Sequence, residues 1–261
     1  MKYDIIGSSM QILNINLNAG EKIYIDAGKM ASKTDNVSLN AKWAGGAGFL
    51  KGIKMAFAGS SSFLLEGTAE SDNGQIALAG VIPGKVKVIE LKEGESVYVE
   101  HFAFLATTDP TKIDVKASIR GALGGAGLFL EKFDGPCVVF IHVSGDIVEY
   151  DLDAGSVLNV DPGHVATFDG NMQIQFTKVG NLKTELVSGE GLWLAKFAGP
   201  GKVVLHSVSR FALQRAIGGG NATAGTIASD ANAANAVGGL LGDIFKGLGG
   251  SAGGKPGSFK L

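Results

Sequence analysis

Along residues 1–215, apolar and polar positions alternate in runs of strand length, and small or polar residues break the runs at short intervals. Gln11–Leu17, Glu21–Ala27 and Val37–Trp43 all carry period two, which puts alternate side chains on opposite faces of a strand. Three stretches share one pattern: LNAGEKIYID at Leu17–Asp26, LKEGESVYVE at Leu91–Glu100 and LDAGSVLNVD at Leu152–Asp161. Each joins an apolar residue to a turn ending in glycine (Gly20, Gly94, Gly155), then runs as an alternating strand that closes on an acid. The pattern predicts one β building block used three times.

The blocks after the second and third of these stretches also match. GLFLEKFDGP at Gly127–Pro136 resembles GLWLAKFAGP at Gly191–Pro200, and His142 and His206 come at the same distance beyond them. The first unit diverges. Its counterpart of the aromatic block is Ser62–Gly67, preceded by an extra Gly-rich stretch at Gly45–Gly59. Units of this kind cannot bury their apolar faces separately, so they are expected to pack around a shared core. Short β units without long helical patterns predict an all-β sandwich or barrel rather than a βαβ nucleotide fold. The predicted organisation is one β-sandwich domain over 1–215 with internal repeats at 1–84, 85–145 and 146–215. A Gly/Ala-rich tail comes next at 216–261, where the spacing of Leu240, Leu241, Ile244, Phe245 and Leu248 predicts a short helix over 240–248.

Composition narrows the function classes. Glycine is abundant at 40 of 261 residues but has no Gly-X-Y period, so these glycines mark turns, bulges and close backbone approaches. A formal net charge of -2 offers no general attraction for phosphate backbones, which argues against nucleic-acid binding. The one cysteine, Cys137, excludes an internal disulfide framework and a cysteine-built zinc site. The opening MKYDIIGSSM places polar residues and acids where a secretory signal would be apolar, and no apolar run reaches the length of a spanning helix. The expectation is a soluble, cytoplasmic protein.

Candidate chemistry is sparse. His142 and His206 are repeat equivalents, and with His164 they are the best polar candidates for a ligand site. The strand-closing acids Asp26, Glu100 and Asp161 either accept backbone N–H bonds from the turns just after them or, if they converge, bind a cation. The first unit has no histidine, so a three-histidine metal cage built from the repeats is excluded. No phosphate-binding loop or nucleophile elbow is present, and no cofactor is expected. Phe129, Phe133, Trp193 and Phe197 recur at intervals of four, which in a strand puts each pair on one face, for core packing or a subunit interface.

The residues also resemble a known family. MKYDIIG, AGEKIYIDAGKMASKTDNV, GGAGFLKGIKMAFAG, HFAFLATTDPTKIDV, DPGHVATFD and SGEGLWLAKFAGPGKVVLHS, in that order, are similar to the family of altered inheritance of mitochondria protein 24. Two features depart from it, Ser60–Phe63 and the long small-residue tail. The resemblance implies a β-sandwich of double-stranded β-helix type, similar to that of the tryptophan-regulated RNA-binding attenuation protein. It also implies a role in membrane organisation without a known reaction, and it carries no set of site residues. The combined expectation is a non-enzymatic structural or interaction module that self-associates through sheet faces or edges as a homo-oligomer. A protein partner or peripheral membrane contact is the further expectation for partners, and the alternative function is a small-ligand or metal-binding sandwich.

Overall fold

The computed structural model describes residues 1–43, 63–119, 128–179, 192–209 and 212–213, and nearly all of its regular structure is antiparallel β. After an opening strand β1 (Lys2–Ile6), the described strands fall into three sets of six. The first set is β2 (Ile12–Leu17), β3 (Lys22–Asp26), β4 (Met30–Lys33), β5 (Val37–Trp43), β6 (Phe63–Ala69) and β7 (Gly74–Ala79). The second is β8 (Gly84–Leu91), β9 (Ser96–Glu100), β10 (Phe104–Thr107), β11 (Ile113–Ile119), β12 (Leu128–Asp134) and β13 (Cys137–Ser144). The third is β14 (Ile147–Leu152), β15 (Val157–Val160), β16 (Val165–Asp169), β17 (Gln173–Val179), β18 (Leu192–Ala198) and β19 (Gly201–His206).

One pairing scheme serves all three sets. The sixth strand lies between the first and the third. The fifth lies between the second and the fourth. In each set the pairing of the third strand with the sixth slips by one residue, at Met30/Ser32, Phe104/Ala106 and Val165/Thr167. A bulge of this kind bends a short strand and adds twist. The turn between first and second strands is shared as well. Gly20, Gly94 and Gly155 sit there at φ 79°, 84° and 86°. The next residue's N–H closes each turn on the carbonyl three back, from Glu21 to Asn18, Glu95 to Lys92 and Ser156 to Asp153. A positive φ at that position strains any residue with a Cβ, so the glycine is required by the turn.

Consecutive sets are joined by strand pairing: β3 pairs with β10, and β9 pairs with β16. Half of one repeat and half of the next therefore merge into one sheet. The four sheets run β1-β2-β7-β4, β5-β6-β3-β10-β13-β8, β11-β12-β9-β16-β19-β14 and β15-β18-β17. Apolar side chains then divide into three interlayer clusters. Leu13, Ile15 and Ile76 of the first sheet meet Ile23, Ile25, Leu105 and Phe140 of the second. The opposite face of the second sheet, with Val139, Ile141 and Val143, meets Val97, Val99, Phe133 and Val204 of the third. The remaining face of the third, with Leu130, Phe168 and Val203, meets Ala195 and Phe197 of the fourth.

The interior is thus three separate cores in series, where the repeat pattern alone suggests one shared core. The reason is the merging of half-sheets, which buries the second and third sheets on both faces. It also explains why β13 reads as the unbroken apolar run CVVFIHVS, since a strand covered on both sides loses its alternation. The Gly-rich stretch at 45–59, the tail at 216–261 and its expected helix at 240–248 lie outside the described residues. No helix among the described residues is long and apolar enough to cross a membrane.

Candidate functional site

The three strand-closing acids occupy equivalent places at the end of the second strand of each set; Asp26 and Glu100 come together around His101, and Asp161 stands apart from them in the third set. Glu100 accepts a hydrogen bond from the Ala103 N–H at 3.0 Å, and Asp161 accepts one from the Gly163 N–H at 2.8 Å. Each thereby caps a single 3-10 turn, His101–Ala103 or Pro162–His164. Asp26 stands at the joint between the first and second sets, where the surroundings differ.

That joint holds a buried charged cluster. Asp26, Lys29, Glu100 and Glu131 are all less than one-tenth exposed. The His101 Nδ1 lies 2.8 Å from the Glu131 Oε1, and the Lys29 Nζ donates to the Phe102 carbonyl at 2.9 Å. Glu131 Oε2 is buried with no hydrogen-bond partner among the described residues. Burial pushes the Asp26 carboxyl up to about 6; the nearby His101 and Lys29 cations pull against it, and the Glu131 charge adds to it. Burial lowers the His101 pKa, but the hydrogen bond to Glu131 and the charges of Glu131, Asp26 and Glu100 outweigh it and leave the ring above its ordinary value. Among the described residues no set of His, Cys, Asp and Glu is arranged to hold a metal ion. Of its members, the repeat pattern singles out only Asp26 and Glu100. His101 adjoins the repeated acid, which is a usable signal, whereas Lys29 and Glu131 become neighbours only through strand pairing.

A second constellation does unite candidate residues. Asp161, His164 and His206 line an open cleft of about 350 Å³ in the third set, with Val148 and Tyr150 of β14, Leu158, Asn159 and Val160 of β15, and Leu205 and Ser207. The His164 Nδ1 donates to the His206 carbonyl at 2.7 Å, which leaves Nε2 as the ring nitrogen not engaged in that bond. The His206 Nδ1 accepts from the Ser144 N–H at 2.9 Å. His206 therefore ties β19 to the link between second and third sets.

His142 does not join the cleft. It lies in the preceding interlayer gap against Gly80 and Gly84, in the link between first and second sets. Burial and the Lys29 charge push its pKa down to about 4, so the ring is neutral. The two repeat-equivalent histidines thus do parallel jobs, each closing over the link that precedes its own set. Ala79 holds the same register position in the first set, which has no preceding set. Phe133 and Phe197 are fully buried in the second and third cores, Trp193 is half-buried against the third, and Phe129 is half-buried on β12.

A family model described as mitochondrial biogenesis AIM24 matches residues 3–208, which take in all of the described strands but Lys2 at the start of β1. The chain belongs to that family. An uncharacterized protein of Streptococcus pyogenes serotype M6 is 29% identical over 215 residues, covering 78% of this chain and 85% of the relative. The crystal structure of a Streptococcus pyogenes protein superimposes with a TM-score of 0.65 at 25% identity, covering 83% of this chain and 98% of that one. The AIM24 family assignment and this structural likeness agree with the all-β antiparallel fold. Neither relative's description names an activity or ligand, so the function of this AIM24 chain rests on its own geometry.

Proposed function

We propose that this protein is a non-enzymatic assembly module that self-associates through the sheet edges at the two ends of its stack. The carrying observation is the way its own repeats are joined. Both internal joints are made by pairing a second strand with the third strand of the next set, β3 with β10 and β9 with β16. At the ends, β4 and β15 are the remaining third and second strands, and among the described residues neither has a partner on its outer edge. An unpaired edge presents a row of N–H and C=O groups to another strand. Size-exclusion chromatography with light scattering tests the reading: a multimer at micromolar concentration is expected, and a strict monomer overturns it.

The cleft supports a second reading. Asp161, His164 and His206 offer a carboxylate and imidazole groups beside apolar walls, a lining suited to a small polar ligand. A melting-temperature screen over metabolites and divalent cations tests it. An increase that His164→Ala abolishes is expected, and no shift across the panel rejects it.

A further inference from the structure

We propose that β4 of a second copy adds to the outer edge of β15, with Ser32 opposite Val160 and Lys33 opposite Asn159, and seats Ala31 over the cleft between β14 and β15. This deepens the self-association reading and rests on it.

The register comes from the two joints already formed within the chain. The bulge aligns Met30–Lys33 with Phe104–Thr107 and with Val165–Phe168, because the slip falls between first and third residues in all three. At the first joint Ala106 faces Ile25 and Thr107 faces Tyr24. At the second, Thr167 faces Val99 and Phe168 faces Tyr98. Ile25 and Val99 each directly precede the strand-closing acid, as Val160 precedes Asp161. Carrying the pattern one repeat further puts Ser32 against Val160 and Lys33 against Asn159.

The cleft is the second, independent mark. The bulged residue of each inner third strand is fully buried and packs into the core of the preceding set. Leu105 lies in the cluster that holds Leu78, and Ala166 in the cluster that holds Ile141. The residue equivalent to Leu78 and Ile141 is Leu205, since Met30, Phe104 and Val165 face these three in turn. Leu205 lines the open cleft beside Leu158 and Val160. The seat filled by Leu105 and Ala166 at the internal joints is therefore open at β15, and Ala31, the residue that would fill it, is exposed.

The occupant is a second copy of this chain. Within one chain Ala31, Ser32, Lys33 and Asn159 are exposed and Val157 is half exposed, so the chain's own β4 does not cover its β15. A strand of matching length, bulge and register is what every other copy offers. The contact is heterologous, so each pair still presents one β4 and one β15, and the assembly grows head to tail, to a ring where the rotation per copy closes and to a filament where it does not.

Disulfide trapping tests this. Residues directly opposite in an antiparallel pair have Cα atoms about 4.5–5.5 Å apart, within the span a disulfide bridges. Native Cys137 is buried. Mixing K33C with N159C under mild oxidation is expected to give a covalent dimer, whereas K33C mixed with Q173C, on the far strand β17, gives none. The K33C/N159C double variant is expected to give a ladder of multimers. Ala31→Arg, a change at an exposed position, is expected to abolish the ladder and lower the mass in light scattering. If the double variant links only within one chain, or if A31R leaves the mass unchanged, this edge assignment is overturned. A wild-type multimer without the K33C–N159C link sinks the assignment and leaves self-association standing; a wild-type monomer sinks both.

Discussion

Asp26 and His142 show how burial sets charge in this protein, and in opposite directions. The Asp26 pKa is raised from 3.8 to about 6 in the folded state. Its contribution is fully present below the unfolded value and is lost as pH rises through the folded one, because the folded state holds the proton longer. By linkage this costs roughly 3 kcal/mol above pH 7. Asp26→Asn removes the dependence, so the melting temperature of the variant relative to wild type is expected to be higher at pH 8 than at pH 4; equal differences at both refute the assignment. The lowered pKa of His142 works the other way, with stability lost as pH falls from its ordinary value of 6.5 toward about 4. The same ring explains a glycine. A Cβ on Gly80 would come within 2.3 Å of three His142 ring atoms. Gly80→Ala alone is expected to cost about 1–3 kcal/mol, the range of overpacked cores. With His142→Ala the double variant should be more stable than the sum of the two singles, and strict additivity in urea denaturation contradicts the contact.

At the scale of the strand, much is legible in the residues alone. The turn glycines Gly20, Gly94 and Gly155, the acids Asp26, Glu100 and Asp161, and the block holding Phe133 and Phe197 are local patterns, and period two carries strand identity without tertiary information. What the alternation does not carry is destination. Nothing in SVYVE or KIYID states that one edge pairs within its own set and the other with the next, because that choice depends on residues far along the chain. The part-buried pair His101–Glu131 is hidden for this reason, being brought together by the pairing of β12 with β9. The division into three cores makes its own prediction. Phe133→Ala and Phe197→Ala lie in different clusters, and each is expected to cost about 3–5 kcal/mol, adding to within about 0.5 kcal/mol. Phe168→Ala with Phe197→Ala should depart from additivity, since those rings lie 5.1 Å apart. The reverse pattern in denaturant melts would reject the partition.

For the molecule as a whole, residues Met1–Gly220 form one compact body although the interior is divided. The second and third sheets are each built from two repeats, so no repeat unfolds without stripping a neighbour of half a sheet. Coincident transitions by far- and near-ultraviolet circular dichroism are therefore expected. Separate transitions would mean that the repeats melt independently. A chain made this way also changes size in whole steps. The segment from β8 to β13 presents a third strand to the set before it and a second strand to the set after it. A duplicate of it placed after Ser144 would meet compatible edges on both sides and lengthen the pile by one layer, while a fragment cut inside it would leave an orphaned half-sheet that nothing else in the polypeptide matches.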